Sequence, residues 1–520
     1  MRQTGQRAAG RAILMAGAFS LTLASGQAFA DPAADKPLDA DKIDAATARA
    51  PVEDAKSVTS HTVTINGKTL AYKATAGTLT LRDSDGKPTA SMFYVAYTVD
   101  GPKRPVTFLY NGGPGSSSIW LHMGSVGPMK VRTPSPSPAG AAPYDLVPNP
   151  DSLLDKSDLV FLDAIGTGFS RPLGKTEGKV FWGVDQDGDA FAKAIARYIG
   201  LNNRANSPRY LFGESYGTTR SAVLSYKLHQ LGYDLNGIVL LSSYLNTGMD
   251  DQGIDQPYIG MLPSQAATAW YHNAIPNRPA DLDAFLADVR KFAAGPYAAA
   301  LFKGDAISAE EFDAVAKQLS AYTGISVDYI KRAKLRLALE RFRRELLRGR
   351  GQIVGRLDGR YLGTEEDTAG EATSYDPSDT AVHSAYTSAA GDYIRRDLGY
   401  KTDLDYRPSA YQFITDWDGH HAVVNGGGYK SNSAAVMLDL AQTLREAPST
   451  KILSLSGYFD MATPFFQTEY DLSHMLLDAP LKKNIEAHYY PSGHMVYLNP
   501  DVTRALKADL ATFYDKTSGQ

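Results

Sequence analysis

From His61 onward the chain alternates apolar and polar positions. Val63/Ile65, Leu79/Leu81 and Phe93/Val95/Tyr97/Val99 each space apolar side chains two residues apart, the period of a strand buried on one face. Asn66-Gly67 and Asp85-Gly86 supply hairpin turns between them, so the pattern predicts antiparallel strands. The pattern then changes to mainly apolar runs, Val106 to Tyr110, Leu159 to Leu162, Tyr210 to Phe212 and Ile238 to Leu241, separated by helical stretches such as Asp189 to Ile199 and Thr218 to Leu231. Runs of this kind are buried on both faces, and their alternation with helices predicts a largely parallel sheet. Two more, Ile452 to Leu455 and Ile485 to Tyr490, follow near the C-terminus.

Between Ser242 and Lys451 lies far more chain than one crossover helix needs, with several helical patterns, so a mostly helical inserted cap is expected over residues 255–424. The hydrolase core would then be divided into residues 57–254 and 425–520. Within the cap, Lys331 to Arg350 sets Leu335, Leu339, Phe342 and Leu346 on one helical face amid nine basic and two acidic side chains. Such a helix suits a membrane or an acidic partner, but the acidic stretch Glu365 to Asp376 could neutralise it intramolecularly, and a solvated cap face is the reading kept. The Pro-rich piece Thr133 to Pro150 reads as a surface loop at the site's edge.

The chemistry concentrates where strands end. Tyr210 to Arg220 reads YLFGESYGTTR, which puts Ser215 between Gly213 and Gly217 after a strand-like run and before a helix-like one. This is the G-x-S-x-G nucleophile elbow, and its partners are expected in the chain order Ser, Asp, His. Asp460 in LSLSGYFDMATPF and His494 in HYYPSGHMVYLNP meet that order, each just beyond an apolar run. Ligands of open α/β sheets bind outside the carboxyl ends of the strands, so the three can converge. His494 would take the Ser215 proton and Asp460 would fix the imidazole tautomer. His420 and His421, in a loop-like WDGHH stretch, and His488, inside a strand, are weaker candidates. YNGGPGSSS, from Tyr110 to Ser118, offers glycine amides for an oxyanion hole, with the Tyr216 amide as the second donor.

In that order and spacing, NGGPGSSS, DLVFLDAIGTGFS (Asp158 to Ser170), FGESYG, the SGYFD aspartate and the PSGHMV histidine resemble the serine carboxypeptidase family, densely before Asn246 and after Asn432. The resemblance implies an α/β-hydrolase fold and removal of C-terminal residues from peptides through an acyl-enzyme. It implies Ser215, Asp460 and His494 as triad, the amides of Gly113 and Tyr216 as oxyanion hole, and Asn111, the Gly112 amide and Glu214 as holders of the substrate's terminal carboxylate. Two departures stand out. The family's glycine-rich loop carries a cysteine where this chain has Ser116, and this chain has no cysteine at all. A family glutamate that pairs with the one before the nucleophile would fall near Ser125, where no acid lies. An esterase or acyltransferase remains the alternative, since the same groups serve any acyl transfer. A catalytically silent binding protein on the same scaffold is the remote one.

Composition changes little. The chain has 520 residues, 43% hydrophobic and 21% charged, with formal net charge −4, so a nucleic-acid partner is not expected; peptide substrates are what the resemblance implies. At the N-terminus, Arg2, Arg7 and Arg11 precede an apolar stretch from Ala12 to Ala24, and Ala28-Phe29-Ala30 forms a cleavage pattern. Residues 1–30 therefore read as a signal peptide of an exported bacterial protein, periplasmic or secreted, and residues 31–56 as a mobile leader. The apolar stretch is shorter than the roughly 20 residues a membrane span needs, so no stable membrane insertion is expected. No cofactor or metal is expected. Asp185, Asp187 and Asp189 lack the glycine and closing glutamate of a calcium loop and read as an exposed helix start. Trp120, Tyr216 and Tyr458 suit either a side-chain pocket or plain core.

Overall fold

The computed structural model describes residues 50–101, 103–251, 253–411 and 416–519. The expected signal peptide and most of the leader lie outside the described residues. The end of that leader differs from the expectation. Thr78 N donates to Ala55 O at 2.8 Å, Thr80 N to the Asp54 carboxylate at 2.7 Å and Thr80 Oγ1 to Val52 O at 2.8 Å. Residues 52–56 are thus tied to the sheet edge, because β-strand donors there would otherwise go unpaired.

Nine strands, labelled in chain order, carry the main sheet: β1 (Lys56–Ile65), β2 (Lys68–Arg82), β3 (Pro88–Thr98), β4 (Val106–Tyr110), β5 (Asp158–Leu162), β6 (Arg209–Glu214), β7 (Gly237–Leu241), β8 (Lys451–Gly457) and β9 (Ile485–Tyr490). Their spatial order is β1-β2-β3-β5-β4-β6-β7-β8-β9, with the short strand Arg171–Pro172 pairing off β3. The first three strands and the β3/β5 pair are antiparallel, and every neighbour from β5 to β9 is parallel.

The division follows from the side-chain pattern. In β4 all five residues are buried, yet Val106, Phe108 and Tyr110 pack with the helices Val184–Leu201 and Tyr216–Gln230, while Leu109 packs on the opposite face with Phe513 and Tyr514 of the helix Pro500–Thr517. Period-two pleating sends alternate residues to two apolar layers, so such a strand is apolar at nearly every position, and its one polar side chain, Thr107, is hydrogen-bonded to Ser157 and Tyr514.

A third apolar cluster belongs to the long connection between β7 and β8. Helices Gln256–Tyr271, Leu282–Phe292 and Ala309–Thr323 bury Leu262, Phe285, Leu286, Val289, Val315 and Leu319 together with Phe459 and Phe465 of the loop after β8. The expected helix over 331–350 is not continuous. The helix Val327–Arg332 stops, Lys334 and Leu335 take positive φ of 55° and 65°, and a second helix covers Leu339–Glu345. Leu335, Phe342 and Leu346 are nonetheless buried, so the apolar spacing serves two short elements joined by a kink. Six of its nine basic residues form ion pairs within the chain, among them Arg344 with Glu365, Arg341 with Glu371, Arg343 with Glu340 and Arg336 with Asp255. Among the described residues no helix is long and apolar enough to cross a membrane.

Candidate active site

Strand β6 ends at Glu214 and the helix Tyr216–Gln230 begins two residues later, with Ser215 at φ 61° and ψ −131° between them. A non-glycine residue in that region is strained, and the strain lifts the hydroxyl out of the helix line. The turn is too sharp for bulk at its start, because a Cβ on Gly213 would lie 2.1 Å from Gly217 O. Ser215 N donates to Leu241 O of β7 at 3.0 Å, which anchors the elbow to the neighbouring strand.

Asp460 and His494 follow the ends of β8 and β9. The Asp460 carboxylate accepts from Ala462 N at 2.8 Å and Thr463 N at 3.0 Å, and Thr463 Oγ1 donates to its other oxygen at 2.7 Å. That same oxygen pairs with His494 Nδ1 at 2.8 Å. Held on Nδ1, the neutral imidazole keeps Nε2 as an acceptor, the form a general base needs. Asp460 and His494 are 1% and 5% exposed. Burial pulls His494 down, but the charges of Asp460 and Glu214 outweigh it and leave its pKa raised above the ordinary value. Ser242 Oγ donates to His494 O at 2.6 Å, linking the histidine loop to the residue after Leu241.

A segment of the long connection threads between these two loops, a contact the sequence reading did not contain. His494 N donates to Leu357 O at 2.6 Å, Met461 N to Arg356 O at 3.1 Å and Gly359 N to Phe459 O at 2.9 Å. The segment is pinned by a buried ion pair, Arg360 with Asp358 at 2.6 Å.

The glycine-rich loop after β4 lies against the elbow. A Cβ on Gly112 would meet Tyr216 N at 2.4 Å, so only glycine allows the approach. Gly113 has φ 111°, and a Cβ there would meet Ser116 N at 2.9 Å and Tyr411 Oη at 2.9 Å. This brings the backbone of the loop beside the Tyr216 amide. Asn111 Oδ1 accepts from Leu121 N at 2.9 Å, and its carbonyl accepts from Arg220 Nη1 at 2.6 Å. Arg220 in turn pairs with Asp187 at 2.6 Å, both buried, under the rings of Phe191 and Tyr216. Asp187 is therefore not the exposed helix start expected. It is the counter-ion of the guanidinium that holds the Asn111 loop.

Glu214 is 2% exposed beside Ser215. Tyr497 Oη donates to its Oε2 at 2.9 Å, and Asn111 also hydrogen-bonds the carboxyl. Burial pushes the Glu214 carboxyl up to about 7, against the pull of His494 and of the Tyr497 and Asn111 hydrogen bonds, with Asp460 adding to the rise.

The remaining candidates fall elsewhere. His421 is buried in a short strand, with Nδ1 2.7 Å from Asp185 and Nε2 2.9 Å from Asp439, and these partners offset burial to raise it to about 9. Asp185 is thus also partnered rather than exposed, and only Asp189, on Lys227, faces solvent. The same loop sets Trp417 edge-on to Tyr216, ring centroids 5.3 Å apart. His420 is exposed on Asp418, and His488 sits in β9 beside Glu486. Trp120 donates to Ser116 Oγ at 3.0 Å and packs near His383 and Tyr386 at the glycine-rich loop, whereas Tyr458 donates to Asp283 at 2.6 Å and belongs to the third apolar cluster. Among the described residues no group of three or more His, Cys, Asp or Glu is arranged to hold a metal ion.

A family model described as serine carboxypeptidase matches residues 66–498. No curated protein matches the chain. Among solved structures, a prohormone-processing carboxypeptidase from Saccharomyces cerevisiae superposes with TM-score 0.52 and 16% identity, over 85% of this chain and 91% of that one. A carboxyl esterase from Bacillus coagulans superposes with TM-score 0.35 and 11% identity, over 85% of this chain and 98% of that one. The fold is that of the α/β-hydrolases.

Proposed function

The chain belongs to the serine carboxypeptidase family, and from that membership we propose that it is an exported serine-type carboxypeptidase that releases C-terminal residues from peptides. The observation that carries the reading is the Asp460–His494 hydrogen bond of 2.8 Å together with a positive-φ Ser215 and the buried Glu214 carboxyl one residue before that serine. Ser215 Oγ attacks the scissile carbonyl while its proton passes to His494 Nε2, and Asp460 stabilises the imidazolium. The amides of Gly113 and Tyr216 receive the oxyanion. The C–N bond breaks as His494 returns the proton to the leaving amine, and the acyl group stays on Ser215. Water, deprotonated by His494, attacks the ester, and as the acid leaves His494 returns that proton to Ser215 Oγ. Asn111, the Gly112 amide and Glu214 hold the terminal carboxylate, which restricts cleavage to the last bond.

Residues 255–424 form the cap of this reading, between core segments 57–254 and 425–520, and gate substrate size. An esterase or acyltransferase uses the same triad and differs only in the acyl acceptor. Mass spectrometry of products from a mixed pool of free-acid peptides, peptide amides and esters separates the readings. Stepwise loss of C-terminal residues from the free acids is expected. Internal cleavage, or ester cleavage with untouched free acids, would remove the carboxypeptidase assignment.

A further inference from the structure

The position where the family's second acid would stand is occupied here by different chemistry. Ser125 is buried with its hydroxyl donating back to Leu121 O at 2.5 Å, and Gly124 before it has no side chain. A Cβ on Gly124 would meet Tyr386 Oη at 2.4 Å and Tyr497 Cε2 at 2.6 Å, so the space left beside Gly124 is filled by two phenol rings. Tyr497 lies in the turn Val496–Leu498, three residues after His494, and is 5% exposed. Its hydroxyl donates to Glu214 Oε2 at 2.9 Å. Burial first, and then the neighbouring Glu214, hold the Tyr497 hydroxyl well above its ordinary acidity range, so it remains a donor.

We infer that Tyr497 is the specificity-setting partner of Glu214, the phenol standing in for a second acid in the pocket that receives a substrate's terminal carboxylate. The inference rests on the carboxypeptidase reading above. Two carboxyls sharing one proton would keep a negative charge in the pocket, whereas a protonated Glu214 beside a phenol is neutral. With Tyr497 donating to Oε2, a proton on Oε1 is free to bond outward to the incoming carboxylate. The other titratable groups facing Glu214 are His494, Asp460 and Tyr386. A hydrogen bond to the ionised carboxylate favours that form, so Tyr497 sets the pH at which Glu214 becomes an anion that repels substrate.

Tyr497→Phe keeps the ring and removes the donor. The parent should lose kcat/KM on free-acid peptides as pH rises through the Glu214 titration. In Tyr497→Phe that alkaline limb should move up by about one pH unit, while hydrolysis of the matching esters keeps its alkaline profile. Infrared titration of the resting protein, with the Glu214 carboxyl band identified by its absence in Glu214→Gln, should record the same upward shift without any substrate. If Tyr497→Phe does not fold, Gly124→Ala presses a Cβ against the Tyr497 ring, 2.6 Å from its Cε2, and by moving that ring off Glu214 should shift the band in the same direction. An unmoved band, or a moved band with an unmoved free-acid limb, overturns the inference and leaves the carboxypeptidase reading standing. A parent that cleaves esters but no free-acid peptide at any pH defeats that reading, and the pocket role of Tyr497 with it.

Discussion

The strand ends of the parallel sheet and the segment from Ile353 to Arg360 hold the same two side chains by different means. At the strand ends, Asp460 is fixed by amides and a hydroxyl two and three residues ahead of it, so the geometry is local. The crossing segment instead reaches His494 N and Met461 N from far along the chain and carries its own buried Asp358–Arg360 pair. The sheet places the loops that carry Ser215, Asp460 and His494, and the crossing segment ties the Asp460 and His494 loops together. The long connection therefore supports these two loops, and shortening it to test the proposed gating of substrate size must spare residues 353–363.

The largest expected effect lies on the sheet side. Ser215→Ala should abolish labelling by a fluorophosphonate probe and lower turnover by several orders of magnitude, with Asp460→Asn losing about 10⁴-fold through the wrong histidine tautomer. Labelling that persists in Ser215→Ala would place the nucleophile elsewhere and end the comparison at its first term.

A smaller effect tests the crossing segment. Asp358→Ala leaves the Arg360 guanidinium buried without its counter-ion, and breaking a buried pair in this way costs about 3–5 kcal/mol. Thermal unfolding should register that loss, and the folded fraction should turn over ester substrate more slowly because the His494 loop loses its support. Asp358→Ala with the parent's melting temperature and turnover would mean that the strand-end loops hold the site by themselves.

The same contrast explains what was readable in the sequence. Apolar runs identified β4 to β8 because those strands are buried along nearly their whole length, whereas β9, at the sheet edge, is mostly half-buried and was marked by a weaker run. The elbow and the Asp460 and His494 loops were readable because each sits at a fixed short distance past such a run. Tyr497 was not, since its bond to Glu214 spans 283 positions and a tyrosine three residues after the histidine carries no pattern of its own. Asp187 was read as exposed because its partner, Arg220, lies on another helix. The apolar spacing over 331–350 was read as one helix because period alone cannot register the positive φ at Lys334 and Leu335. Burial by the sheet writes a periodic signal, whereas bonds between distant loops write none.

The smallest and most discriminating effect concerns Glu214, which ends β6 and is bonded to Tyr497 beyond the His494 loop. Below about 7 the buried carboxyl is protonated and can donate to a terminal carboxylate, and above that it is an anion that repels one. Activity on free-acid peptides should therefore fall about tenfold per pH unit above that point, while esters and amides are spared. Glu214→Gln keeps a donor at every pH and should flatten the fall. It also removes a negative charge that helps raise His494, so the acid limb of ester hydrolysis, which rises as His494 becomes neutral, should move to lower pH. Rate–pH profiles on matched ester and free-acid substrates read both shifts in one protein. Should Glu214→Gln keep the parent's free-acid profile, carboxylate recognition resides in another part of the molecule, and the esterase or acyltransferase reading gains the ground that the carboxypeptidase reading loses.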